Sequence, residues 1–288
     1  VLDRRTFVLG AAASAAVASA LPAHAAASAP APGATPDTAT ATPDKTAGVF
    51  AAAGGTPLLL AQRNNQWVLV DEGGSVRITT GLTGADLVDV TSDGTTFTTV
   101  GAVSGDPIAT IWESTDGIAW TEVRRLHGVR SEFTAVGGGL ALGSVVKHER
   151  ASVVRIAARR TANGWNTVRM RGLEWTDGLS ATAVAATSDG WIVAAVDISG
   201  TVLHTSRDGV NWTARPRLDG VAVRGLTAVD GRVHWVGNEM VDATPLTGVL
   251  DADTTRPDVP ADAKALGVAG TRSGWLTGGR LITAEATR

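Results

Sequence analysis

Two thirteen-residue stretches, Ser114-Thr-Asp-Gly-Ile-Ala-Trp-Thr-Glu-Val-Arg-Arg-Leu126 and Ser206-Arg-Asp-Gly-Val-Asn-Trp-Thr-Ala-Arg-Pro-Arg-Leu218, lie 92 residues apart and agree at seven positions. A weaker copy, Thr161-Ala-Asn-Gly-Trp165, stands about halfway between them, so the underlying period is near 46 residues. A fixed period of this size marks an architecture of like units, each too small to bury its own apolar surface without a neighbour. Few folds are compatible with that.

Between these stretches the chain runs in short apolar segments punctuated by Gly, Asp-Gly and Ser every eight to twelve residues, with almost no helical periodicity. That rhythm predicts many short antiparallel strands. Asp-Gly and Gly-Gly pairs between Val/Ala-rich runs predict tight hairpins with positive φ at both central residues. Laid out by period, four-stranded units fall at 47–83, 84–129, 130–178, 179–221 and 222–263, with a shorter sixth from 264 to 288. Four strands per unit of this length predict an all-β fold, a β-propeller of four-stranded antiparallel blades. Six blades are favoured and five are the alternative. The short last unit fits a ring closed between the two ends of the chain, leaving no open sheet edge.

The Ser-x-Asp-Gly-x-x-Trp element resembles a shortened Asp-box (BNR repeat), the motif of sialidase-type and other secreted propellers. It is one residue short between Asp and Gly. The resemblance implies a turn between the third and fourth strands of a blade. Asp116 and Asp208 would accept backbone N–H groups, with Ser114, Gly117, Ser206 and Gly209 in the turn and Trp120 and Trp212 packed between blades. It further implies that these residues hold the fold on the face away from any ligand. Sialidase chemistry in that family uses a tyrosine nucleophile, and this chain contains no tyrosine. Sialidase activity is therefore excluded.

The N-terminal run Asp3-Arg4-Arg5-Thr6-Phe7-Val8 resembles a twin-arginine export signal. An Ala-rich apolar run to Leu21 and the small-x-small site Ala23-His24-Ala25 follow it. Residues 1–25 are read as a removed signal with Arg4, Arg5 and Phe7 at its core, which implies an extracellular, envelope or periplasmic destination. Residues 26–46 carry no large apolar residue and read as a disordered Pro/Ala/Thr-rich linker. The propeller domain then occupies 47–288. No segment of the mature chain is apolar enough to predict a membrane span. With no cysteine, the chain has neither disulfides nor thiolate metal ligands.

Removal of Asp3, Arg4 and Arg5 leaves 23 basic and 27 acidic residues, a balance that argues against nucleic-acid binding. No nucleophile elbow, metalloprotease helix or phosphate-binding loop occurs. The glycine run Gly137-Gly-Gly-Leu-Ala-Leu-Gly143 is read as a hairpin turn. His127, His148, His204 and His234 are scattered singly, without metal-ligand spacing, so no metal and no cofactor are predicted.

Geometry narrows the search further. In a propeller the blade-to-blade connections share a face with the turns between second and third strands. That face is expected to carry His127, Arg130, Lys147, His148, Arg150, Glu174, Trp175, Asp177 and the segment Gly237–Asp242. Trp175 between two carboxylates suits stacking on a sugar or anchoring a protein partner; folding back over a blade edge is the alternative. The favoured function is non-catalytic: a secreted, monomeric propeller binding a protein or a cell-envelope glycan through this face. The alternatives are a glycan-acting hydrolase with carboxylates in the axial depression and an extracytoplasmic assembly factor.

Overall fold

The computed structural model describes residues 48–53, 56–71, 75–105, 107–126, 130–147, 152–173, 180–252, 254–269, 272–277 and 280–285. The segments read above as signal and linker, including Arg4, Arg5 and Phe7, lie outside this set. The first sheet holds β1 (Gly48–Ala53), β2 (Thr56–Arg63), β3 (Gln66–Asp71) and β4 (Val76–Ile78). The second holds β5 (Ala85–Ser92), β6 (Phe97–Val103), β7 (Ala109–Ser114) and β8 (Thr121–Arg125). The third holds β9 (Ser131–Gly137), β10 (Leu140–Lys147), β11 (Ser152–Thr161) and β12 (Gly164–Val168). The fourth holds β13 (Ser180–Thr187), β14 (Gly190–Asp197), β15 (Gly200–Ser206) and β16 (Thr213–Ala214), with β17 (Leu218–Asp219) also pairing β15. The fifth holds β18 (Val221–Val229), β19 (Arg232–Glu239), β20 (Pro245–Val249) and β21 (Thr254–Thr255). A last sheet holds β22 (Lys264–Ala269), β23 (Arg272–Thr277) and β24 (Arg280–Glu285).

Each sheet is an antiparallel meander, and its first strand packs against the first strands of its two neighbours. The contact chain runs β1, β5, β9, β13, β18, β22 and back to β1. The fold is thus an all-β propeller with five four-stranded blades, the count held as the alternative above, and a three-stranded sheet between the last and the first. Among the described residues no helix is long and apolar enough to cross a membrane.

Side-chain size follows distance from the axis. The innermost strands are rich in Ala, Val and Gly because blades converge there. Ala135, Ala181, Ala183 and Ala185 are buried, and a Cβ on Gly225 would lie 2.7 Å from the Gly267 Cα of the next blade. Farther out the wedge between blades widens and is filled by Trp67, Trp112, Trp165, Trp235 and Trp275, each at most 5 % exposed. Inner and second strands are buried on both faces because every blade lies between two others, which explains their near-continuous apolar runs. The turns Gly138-Gly139 and Asp230-Gly231 take positive φ at both central residues, as expected of tight hairpins. In the Ser-x-Asp-Gly turns only Gly117 and Gly209 do so, at 72° each, so the two-residue hairpin geometry does not extend to them.

Candidate functional surface

The two Ser-x-Asp-Gly-x-x-Trp turns join third to fourth strands in the second and fourth blades and share one construction. Asp116 Oδ1 accepts the N–H groups of Ile118 (2.8 Å) and Ala119 (2.9 Å) and the Ser114 hydroxyl (2.9 Å), while Gly117 N–H donates back to Ser114 Oγ (2.9 Å). Asp208 Oδ1 does the same for Val210 (2.8 Å), Asn211 (2.7 Å) and Ser206 (3.0 Å), and its second oxygen takes Asn211 Nδ2 (2.7 Å). The Asn211 and Val210 N–H bonds hold the Asp208 carboxyl far below its ordinary value.

Each turn also fastens the seam to the preceding blade. Thr80 N–H donates to Ile118 O (2.8 Å) and Trp120 N–H to Thr80 O (3.0 Å); in the second turn Arg171 N–H donates to Val210 O (2.7 Å) and Trp212 N–H to Arg171 O (2.9 Å). Gly81 and Gly172, which follow the clip residues, sit at positive φ, and a Cβ there would fall 1.9 and 2.4 Å from the Trp120 and Trp212 carbonyl oxygens. The Gly-Leu pairs 81–82 and 172–173 stand 91 residues apart, a repeat visible in the sequence. All eight turn residues therefore carry backbone geometry and blade contacts.

On the inner strands a residue drops out of register at the same level in five blades: Val88, Thr134, Thr182, Arg224 and Leu266. These bulges place polar groups near the axis. Thr182 Oγ1 donates to Val223 O of the next blade (2.8 Å). Asp89, one residue past its bulge and fully buried, accepts Val136 N–H at 2.6 Å. Burial drives the Asp89 carboxyl well above its ordinary value, with the Val136 and Val90 N–H bonds opposing. Glu132, Ser144 and Arg155 stand in one row across β9, β10 and β11, at the blade-connecting end. Burial raises the Glu132 carboxyl, against the Ser144 hydroxyl and the Arg155 charge.

The blade-connecting face carries an apolar patch. Ile198, in the β14–β15 turn, is 91 % exposed, and Val241, in the β19–β20 turn, is 94 % exposed, with Met240 beside it at 37 %. The two turns belong to adjacent blades and are tied together through Gly220. Its N–H donates to Ser199 O and its carbonyl accepts Met240 N–H, both at 2.8 Å. Charges surround the patch. Arg217 pairs with Asp197 and, at 3.2 Å, with Asp219; Arg256 lies 4.0 Å from Glu239; Asp242 accepts Thr244 N–H at 2.8 Å. Four carboxylates against two guanidiniums make this rim net acidic.

The opposite face, which carries the Asp-Gly turns, has two open clefts. One, of about 660 Å³ between the fourth and fifth blades, is lined by Asp189, Trp191, Arg207, Asn211, Arg215 and Arg232 among others. The other, of about 540 Å³ between the second and third blades, is crossed by the Arg160–Asp93 pair at 2.9 Å.

Of the residues expected on the blade-connecting face, His127, His148, Arg150, Glu174, Trp175 and Asp177 lie outside the described residues. Lys147 ends β10, and Arg130, just before β9, is exposed. Segment 237–242 contributes Met240 and Val241 to the apolar patch. Ile198 had no sequence signal, since an Asp-Ile-Ser-Gly run reads equally well as strand or turn. His204 and His234 are buried, and burial lowers both imidazoles. Among the described residues no group of three His, Asp or Glu side chains converges as a metal site would require.

No family model and no curated protein matches the chain. Its similarity to solved structures is one of fold. One neighbour is described as a candidate gluconolactonase, with 10 % identity over 81 % of this chain and 84 % of that one and a TM-score of 0.55. Another belongs to the nidogen/laminin complex, with 12 % identity, 83 % and 89 % coverage and a TM-score of 0.53.

Proposed function

We propose that this chain is an exported binding module whose blade-connecting face docks a protein partner. The observation that carries this reading is the patch of Ile198, Met240 and Val241. Two β-branched side chains over nine-tenths exposed, on adjacent turns held by a shared backbone ladder, form a small preorganised apolar knob. Its acidic rim fits a partner with an apolar pocket and basic margin, and disfavours anionic lipid. The two Asp-Gly turns, read as shortened Asp-boxes, support this by fixing the blade seams. The twin-arginine segment supports an extracytoplasmic location, tested by replacing Arg4 and Arg5 with Lys and following export. The remaining residues of the expected face, from His127 to Asp177, would extend the same surface.

The docking test is affinity capture from envelope extract with the wild type and an Ile198→Ser/Val241→Ser variant that melts at the same temperature. The expected result is a basic partner whose affinity falls at least about tenfold in the variant. Capture unchanged by both substitutions, or retention only on glycan arrays, overturns the reading. Glu132 favours a second reading. Burial raises its carboxyl against the Arg155 charge, the direction a glycosidase acid needs, at the blade-connecting end of an inner strand. Hydrolysis of an envelope glycan that disappears in Glu132→Gln would establish it.

A further inference from the structure

Five of the six sheets finish on a short outer strand, and the last one does not. β4, β8, β12, β16 and β21 each pair with the third strand of their sheet, whereas among the described residues no strand pairs with β24 on the side away from β23. Such an edge presents a row of unsatisfied N–H and C=O groups and is a template for a further strand. Its side chains are also less covered than those of a completed sheet. Every residue of β20 is buried, while Ile282 and Ala284 of β24 are half-buried against the cluster of Trp235 and Trp275.

Strand direction fixes where a fourth strand has to end. β24 runs from the blade-connecting face to the Asp-Gly turn face, so an antiparallel neighbour returns to the blade-connecting face. In other sheets the chain then crosses to the next inner strand through residues 79–84, 126–130, 169–179 and 256–263. The inner strand next to β22 is β1, which begins at Gly48 on that same face. A fourth strand on β24 is therefore continuous with the residues that precede β1. One run there suits the role. Thr38-Ala-Thr-Ala-Thr42 alternates β-branched and small residues with period two, between Pro36-Asp37 and Pro43. Proline has no N–H to give a ladder, so the two prolines confine pairing to this run. Residues 43–47 then make a connection as long as 126–130. The run has no large apolar side chain, but outer strands here need none. β16 is Thr213–Ala214 and β21 is Thr254–Thr255, with the Thr255 hydroxyl 3.2 Å from that of Thr247 on the third strand.

We propose that the open edge of β24 is a strand-docking site, and that its occupant is this chain's own segment Thr38–Thr42, running antiparallel to β24. Backbone hydrogen bonds supply the affinity, as in any strand addition. The chain's own segment is favoured over another molecule by its tether. Joined to β1 through residues 43–47, it meets the edge at a high effective concentration, whereas a strand from elsewhere gives up its translational freedom to bind. The segment before β1 then completes the last sheet instead of serving wholly as a linker. Residues ahead of Thr38 leave the ring on the Asp-Gly turn face, so the patch of Ile198, Met240 and Val241 on the other face stays unobstructed.

The test is amide hydrogen exchange of the full chain, read by mass spectrometry, with size-exclusion chromatography and thermal melts alongside. In the wild type, peptides covering 38–42 are expected to exchange at least about tenfold more slowly than peptides covering 26–35. Thr40→Pro is expected to abolish that protection, to weaken the protection of 280–285 and to lower Tm. Ala34→Pro, in the same segment but outside the run, should change none of the three. Exchange of 38–42 as fast as that of 26–35 in the wild type overturns the pairing without recourse to any variant. Protection of 280–285 that is unaltered in Thr40→Pro does the same. Protection of 38–42 found only in a dimer peak assigns the strand to a second copy, and overturns pairing within the chain.

Discussion

Asp89 shows how one side chain can bind a seam and set a pH dependence. Its carboxyl is fully buried and bonded through one oxygen to Val136 N–H, while the other oxygen has no partner among the described residues. Burial raises its pKa in the folded state, so the folded protein holds the proton more tightly than the unfolded chain. The linked stability is present in full below the unfolded value of roughly 3.9. It is lost as pH rises from there through the folded-state value, by about 1.4 kcal/mol per pH unit. Urea melts between pH 4 and 8 should show this decline in the wild type. Asp89→Asn keeps the shape and the Val136 bond but cannot ionise, so it should lack that component and be the more stable protein at pH 8. An Asn variant less stable than wild type at pH 8 would mean that Asp89 is ionised and compensated.

At the scale of the element, the unit that matters is the turn together with the strand exit it clips. Gly81 has φ +81°, and a Cβ there would meet the Trp120 carbonyl at 1.9 Å; Gly84, in the same connection, has φ +69° and open space around it. Left-handed backbone strain alone costs a non-glycine residue roughly 1–3 kcal/mol. Gly84→Ala should therefore lose about 1 kcal/mol, and Gly81→Ala at least about 2 kcal/mol more, because the Trp120 carbonyl must move away and disturb the adjoining bond from Trp120 N–H to Thr80 O. Chemical denaturation of the two variants checks the difference; equal losses would mean that the clip yields without cost. These turns were legible in the sequence because a turn is local: Ser, Asp, Gly and Trp recur at fixed spacing whatever they face. The inner-strand bulges were not legible, because register belongs to a pair of strands. Thr182 and Arg224 look like ordinary strand residues until Ala194 and Val236 are seen across from their neighbours Ala183 and Gly225. The apolar patch was half legible. Segment 237–242 was placed on the correct face by topology, but nothing local distinguishes the exposed Val241 from the buried Val236.

At the scale of the whole molecule, a ring and an open array of the same blades respond differently to loss of the last unit. In an open array each unit contacts only its neighbours, so removing a terminal unit leaves the rest folded. Here the sheet of β22–β24 touches both ends. Trp275 and Val268 are fully buried in a cluster with Val223, Leu226 and Trp235 of the fifth blade, whereas Leu266 packs in the cluster of the first two blades. Removing residues 264–288 would expose both clusters at once. Truncating a buried tryptophan alone costs about 3–5 kcal/mol, against a total stability of about 5–15 kcal/mol for a typical domain. The truncated chain is therefore expected to lose the single cooperative thermal transition of the full chain and to elute as an expanded or aggregated species. Circular dichroism melts and size-exclusion chromatography of the two chains decide the matter. A truncated chain that elutes as a compact monomer and melts sharply would mean that the first five blades are self-sufficient and that the ring is not held closed through the last sheet.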